Sequence, residues 1–173
     1  MLQRLRRLFA GSSSDEPPPL PDVTLRPIGV VRNRVKQPMA GGWEDVESRI
    51  VLRPELEEAL LGLDGYSHVT VLFWPHLIPD EVRGSKPRLH PMDDPANPLQ
   101  GVLATRAQIR PNPILLTAVP LLKVEANVLR VRGLDAIDGT PVLDVKPYVP
   151  RYDSVPEATV PQWVTDLSGH HRR

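Results

Sequence analysis

The sequence predicts a mainly β protein, a small closed or partly open β-barrel of about seven strands with one or two short helices. Three observations carry this expectation. Proline occurs 21 times in 173 residues, and a residue that fixes φ and donates no backbone N–H is at odds with a helical bundle. Seven short β-rich runs are separated by turn signals. Only Pro54–Leu61 has the proline-first, acid-rich start of a convincing helix.

Leu25–Arg32 is the first strand, with Ile28, Val30 and Val31 ahead of a basic turn. Ser48–Leu52 follows as a short β-rich run. His68–Trp74 is strongly apolar, with the β-branched and aromatic residues a buried strand requires. Gly101–Ala104, Ile114–Val124, Val128–Arg132 and Val142–Val145 complete the set. Val124-Glu-Ala-Asn-Val128 reads as a tight hairpin in which Asn127 tolerates left-handed φ, and Asp138-Gly139 as a second turn. The longest irregular stretch, Pro75–Gln100, holds six prolines and no periodicity. Its length, between two strong strand signals, marks it as a functional loop.

These elements place a barrel domain at residues 24–150. Residues 1–23 form a basic start, with Arg4, Arg6 and Arg7, and a Ser/Pro-rich linker expected to be disordered. Residues 151–173 form a carboxy-terminal extension and loose tail. The start lacks the longer apolar stretch of a signal peptide, and no apolar run approaches the ~20 residues that cross a bilayer. Cysteine is absent, which excludes disulfides, thiolate nucleophiles and Cys-based metal sites and is compatible with a reducing, cytoplasmic home. Net charge is zero, so any nucleic-acid binding must come from a local basic patch. An enzyme of small molecules is the other reading of a neutral surface.

Neither a G-x-G-x-x-G nor a G-x-x-x-x-G-K-[ST] motif is present, so a Rossmann or P-loop nucleotide site is not expected. The five histidines lack metal-ligand spacing apart from the terminal pair His170-His171, and no metal is expected. The segment Ala104-Thr-Arg-Ala-Gln-Ile-Arg-Pro-Asn-Pro113 carries two arginines four apart, stiffened at its far end by Pro111 and Pro113. They either converge on an anion or carboxylate or stand solvated on a surface turn. Gly133-Leu-Asp-Ala-Ile-Asp-Gly-Thr-Pro141 holds two acids three apart, suited to ribose hydroxyls or an amine, or to capping its own turn. His68 opens a strand and reads as structural, whereas His76, at a strand exit, is the better ligand contact. Arg26, Arg32, Arg34 and Lys36, with Arg83, Lys86 and Arg88, form either a phosphate-backbone patch or a solvated surface. Trp43 between them is placed to stack on a base.

Ordered blocks along the chain resemble one known family. They run from Pro27-Ile-Gly-Val through Gly62-Leu-Asp-Gly-Tyr-Ser-His68 and Val71-Leu-Phe-Trp-Pro-His76, then Gly101-Val-Leu-Ala-Thr-Arg106 and Arg110-Pro-Asn-Pro-Ile114. Gly133-Leu-Asp135 and Asp138-Gly-Thr-Pro-Val-Leu-Asp-Val-Lys-Pro-Tyr148 close the match. In this order they resemble the tRNA methyltransferase O family, over about residues 25–150. The resemblance implies a β-barrel that binds S-adenosylmethionine, acts as a homodimer, and methylates the exocyclic nitrogen of threonylcarbamoyl-adenosine next to the anticodon of tRNA. It also implies cofactor contacts at His76, Leu77, Arg106, Leu116 and the Ala136-Ile137-Asp138-Gly139 loop, with Gly42 and Trp43 as looser candidates. Asp138 and His76 are the candidates for a general base. The family commonly reads Thr-Arg-Ser-Pro-His-Arg-Pro-Asn-Pro-Ile-Gly, where this chain has Ala107, Gln108, Ile109 and, in place of the last glycine, Leu115. Those departures leave two alternatives: a cofactor-binding regulator without catalysis, or a methyltransferase for another RNA or a small molecule.

Overall fold

Strict alternation of inward and outward side chains builds the barrel. In β2 (Glu47–Leu52), Ser48, Ile50 and Leu52 are buried while Glu47 and Arg49 are exposed. The same period of two places Val69, Val71 and Phe73 of β3 (His68–Phe73) inside, and Leu129 and Val131 of β7 (Val128–Arg132). The structure, a computed structural model, describes residues 18–170. Its other strands are β1 (Gly29–Arg32), β4 (Arg88–Leu89), β5 (Gln100–Gly101), β6 (Leu115–Glu125) and β8 (Pro141–Pro147).

Six strands close in the order β1-β2-β7-β6-β3-β8, every pairing antiparallel, with β8 returning to β1. Closure removes the exposed edges of an open sheet. The interior is filled by side chains, with Val31, Ile50, Val69, Val71, Val119 and Leu129 at 0% exposure. β6 is long enough to pair with both β3 and β7, and its register shifts between Leu121 and Lys123 as it bends from one to the other.

The differences from expectation have local causes. Of the run 101–104 only Gly101 pairs: with Gln100 it forms β5, which joins β4 in a separate two-stranded ribbon, and Val102–Ala104 turns as a 3-10 helix. Pro54–Leu60 is also a 3-10 helix. Leu56 N–H donates to Arg53 O and Leu61 N–H to Glu58 O, and only Leu60 is buried, too little apolar surface to hold a longer α-helix in place. In the hairpin after β6 it is Ala126, not Asn127, that takes positive φ, at 49°. The Asn127 amide instead donates to Leu52 O at 2.6 Å, at the end of the neighbouring strand β2.

Two helices follow the barrel, α1 (Pro150–Asp153) and α2 (Gln162–His170), so the expected loose tail is helical as far as His170. Most of the basic start, residues 1–17, lies outside the described residues. Of the expected linker, Leu20, Pro21, Asp22 and Val23 lie along the barrel, lining a surface groove with Trp74, Ile114 and Leu143.

Candidate functional site

Antiparallel order brings distant segments to one rim. β3 runs against β6 and β8, and β1 against β8 and β2. The chain leaving β1, β3 and β7 therefore emerges where the chain entering β2, β6 and β8 arrives. Residues 33–46, 74–78, 105–114 and 133–140 all meet there.

The 133–140 turn is clipped to the exit of β1. Asp138 N–H donates to Val35 O at 2.7 Å and Gly139 N–H to Val31 O at 2.9 Å. Gly139 sits at φ 85°, a left-handed conformation that costs glycine little, with His76 Nε2 3.6 Å from where a Cβ would lie. Asn33 anchors the turn from below: its amide Nδ2 donates to Ala136 O at 2.8 Å and to the buried Ser48 Oγ at 2.9 Å. Its Oδ1 accepts from Val35 N–H at 3.0 Å. The loop 75–100 docks on residues 105–114 through Gly84 N–H to Ile109 O at 2.8 Å, and on the 3-10 turn before them through Val102 N–H to Pro87 O at 2.9 Å.

Two adjoining cavities open between these loops. The larger, about 330 Å³, is walled by Trp43, Phe73, His76, Leu77, Ala136 and Ile137 among others, and falls in the size range of small-molecule sites. The smaller, about 220 Å³, is walled by Arg106, Arg110, Ile114, Leu116 and Thr117. Gln108, Leu115 and Asp135 line both. The cleft is thus two-lobed, one side mainly apolar and the other bearing two guanidinium groups.

Arg106 donates to Leu116 O at 2.8 Å, and Arg110 to Thr105 O at 2.6 Å, so both arginines brace their own loop as they line the cavity. His76 has its Nδ1 buried and unpartnered among the described residues. Of the ten residues singled out as cofactor contacts, His76, Leu77, Trp43, Ala136 and Ile137 line the larger lobe and Arg106 and Leu116 the smaller. Gly42, Asp138 and Gly139 line neither. Gly42, at φ 80°, turns the chain into the short helix that presents Trp43. Asp138 is 2.8 Å from Lys36 Nζ and 3.7 Å from an Arg32 nitrogen, and accepts from Asn33 N–H at 3.1 Å. The Lys36 hydrogen bond is the main reason its carboxyl is held below the usual carboxylate range, against the opposing effect of burial.

The expected basic patch is partly spent in the same way. Arg32 and Lys36 are committed to Asp138. Arg83 pairs with Asp80, donates to Ile78 O and stacks 4.8 Å from the Trp74 ring centre. His68 is hydrogen-bonded to Ser67 Oγ at 2.9 Å, in keeping with a structural part. Nothing in the sequence marks Asn33, while Leu115 stands out there only as a departure from the family's glycine and Asp135 only as one of two acids three apart. The only signal for Asp135 was its place three residues before Asp138 in a glycine-flanked loop.

Fold and site define a loop-built, ligand-binding β-barrel, with a two-lobed cleft at one rim and no glycine-rich phosphate loop in its sequence. The chain belongs to the tRNA-methyltransferase O N-terminal domain family, whose model matches residues 30–154. It is 42% identical over 138 residues to a probable S-adenosyl-L-methionine-binding protein of Methanothermobacter thermautotrophicus, covering 78% of this chain and 96% of that one. It is 34% identical over 143 residues to the tRNA (adenine(37)-N6)-methyltransferase of Escherichia coli, covering 76% of this chain and 60% of that protein. The crystal structure of TrmO from Pseudomonas aeruginosa is similar at TM-score 0.64 and 34% identity, over 80% of this chain and 61% of that one. The chain spans about three fifths of these two bacterial proteins.

Proposed function

We propose that this protein is an S-adenosylmethionine-dependent methyltransferase acting on tRNA, and that it methylates the exocyclic nitrogen of threonylcarbamoyl-adenosine next to the anticodon. The observation that carries the reading is the two-lobed cleft, an apolar lobe meeting an arginine-lined one, in a chain of this family. Residues 24–150 are its donor-binding domain.

The larger lobe fits the donor by its chemistry. Trp43, Leu77, Ala136 and Ile137 offer apolar surface to an adenine. His76 lines the same lobe, and its unpartnered buried Nδ1 is left to be satisfied by a polar group of the ligand. Arg106 and Leu116 line the adjoining smaller lobe, while Gly42, Asp138 and Gly139 shape the turns nearby. Once bound, S-adenosylmethionine supplies a methyl group on a sulfonium that is already a good leaving group. The protein's task is therefore positioning more than covalent catalysis.

The smaller lobe suits the acceptor. Arg106 and Arg110 present guanidinium groups to it, and such groups hold a carboxylate well. The threonyl arm of the proposed nucleoside carries one. Net charge is zero, so tRNA affinity rests on this local basic surface and should be modest. The same reading puts the enzyme in the cytoplasm and in a homodimer.

Mass spectrometry of tRNA nucleosides from cells with and without the gene tests it. The N-methylated form of threonylcarbamoyl-adenosine should vanish with the gene and return on complementation. An unchanged nucleoside profile would remove the tRNA reading. Donor binding without turnover would favour the regulator, an alternative that the altered Ala107–Ile109 stretch motivates.

A further inference from the structure

The two acids of the 133–140 turn have different surroundings. Asp138 is neutralised by Lys36 and Arg32, accepts from Asn33 N–H, and lies outside both lobes. Asp135 lines both. Its neighbours in the chain, Leu134 at 0% and Ala136 at 3% exposure, are buried in the core, and the Ala136 carbonyl is held by Asn33. The backbone of Asp135 is thus clamped on both sides while its side chain faces the cleft. Among the described residues no lysine, arginine or histidine lies within ion-pairing distance of it.

The junction of the lobes narrows the choice further. Of the three residues lining both, Gln108 is an amide and Leu115 a hydrocarbon, and neither accepts a proton at neutral pH. Asp135 is the one that can. Thr117 Oγ1, on the rigid strand β6, donates to Asp135 Oδ1 at 2.5 Å. That bond holds the carboxylate by one oxygen and leaves the other without a hydrogen-bond partner among the described residues.

We infer that Asp135 takes the proton of the acceptor nitrogen during methyl transfer, and that Thr117 is its positioning residue; the inference rests on the methyltransferase reading above. The nitrogen lone pair forms the bond to the methyl carbon as the carbon–sulfur electron pair withdraws onto sulfur, leaving a neutral thioether. The nitrogen's proton passes to the Asp135 carboxylate and from there to water. A nitrogen forming its fourth bond becomes strongly acidic, so a carboxylate is a sufficient base.

The test uses the full chain with four variants, Asp135→Asn, Asp135→Glu, Thr117→Val and Thr117→Ser. Calorimetry with S-adenosylmethionine alone reads donor binding, and single-turnover methylation of tRNA reads the chemical step. Asp135→Asn should bind the donor within about threefold of the wild type and lose on the order of 100-fold or more in single-turnover rate. Asp135→Glu, which keeps a carboxylate, should recover part of that rate and serves as the folding control. Thr117→Val removes the donor that holds the carboxylate and should lower the single-turnover rate about tenfold while leaving donor affinity within about threefold. Thr117→Ser should restore the rate. Asp135→Asn with near wild-type rate overturns the assignment. So does a tenfold or greater loss of donor affinity, because the carboxylate would then be holding the donor. A wild type that labels no RNA overturns the methyltransferase reading itself, whereas an active wild type with an equally active Asp135→Asn overturns this assignment alone.

Discussion

Replacing Asn33 by alanine should unfasten the rim of the cleft. The substitution deletes three hydrogen bonds: Nδ2 to Ser48 Oγ at 2.9 Å, Nδ2 to Ala136 O at 2.8 Å, and Val35 N–H to Oδ1 at 3.0 Å. Ser48 is only 2% exposed and Ala136 3%, so water does not readily replace the lost partner. A typical intramolecular hydrogen bond contributes about 1 kcal/mol net, and a buried group left unsatisfied costs about 1–3 kcal/mol. Together these give a loss of roughly 3 kcal/mol. For a chain of this size each kcal/mol lowers Tm by about 2–4 °C, so the expected fall is roughly 6–12 °C. Calorimetric unfolding of the wild type and Asn33→Ala measures it. Donor affinity should fall with it, since Ala136 and Ile137 wall the larger lobe. Asn33→Asp should do no better, because its carboxylate would face the Ala136 carbonyl without a proton to share and stand beside Asp138. A Tm within about 2 °C of the wild type would show that the turn is held by its backbone bonds to β1 alone.

Acid should weaken the same rim. The folded-state pKa of Asp138 lies below its unfolded value, chiefly through the Lys36 hydrogen bond, so its contribution is present above the ordinary carboxylate pKa and lost as pH falls through the lowered one. Asp138→Asn should therefore be less stable at neutral pH, by about 1 kcal/mol given how exposed Lys36 is, and lose less on acidification; Tm followed from neutral to acidic pH checks this, and parallel curves would refute it. Arg106→Ala should leave Tm almost unchanged, because the side chain is exposed, yet lower tRNA methylation roughly 10- to 100-fold through loss of a charged hydrogen-bond donor; steady-state kinetics decide. tRNA affinity should fall with added salt, with a log–log slope of about −3 if about four phosphates are contacted; a flat titration would argue against backbone recognition.

The strands were legible because their information is local. Val69, Val71 and Phe73 alternate with polar or half-exposed neighbours, and the structure buries all three. The Asp138-Gly139 turn was legible because few residues other than glycine take φ 85° without strain. What stayed hidden depends on partners far along the chain. Asn33 reaches Ala136, 103 residues away, and nothing beside Asn33 announces it. Asn127 looked like the left-handed hairpin residue on propensity. Its amide is instead engaged by Leu52 O, 75 residues earlier, and Ala126 takes the strained φ. Asp135 and Asp138 were indistinguishable as two acids in one loop. Only the register of β8 on β1, which sets Asp138 against Lys36 and leaves Asp135 over the cleft, separates them.

A six-stranded barrel filled by its own side chains has no interior room for a ligand, so its chemistry must sit on the connections at a rim. Change at the rim is then nearly independent of the fold, and the departures from the family's common pattern can be sorted by where they fall. Ala107 and Ile109 line neither lobe, and the one cross-loop bond of Ile109 uses its carbonyl, which any residue supplies. Gln108 and Leu115 border both lobes beside Asp135. Leu115 also packs against the core, and its backbone is not among the positive-φ positions, so the loss of glycine costs no strain. The chain thus keeps the family's barrel, both arginines and both acids, and differs at the junction where donor and acceptor would meet. On the proposed reading, change at that junction bears on how donor and acceptor fit together, while the apolar wall of Trp43, Leu77, Ala136 and Ile137 and the carboxylate of Asp135 are kept.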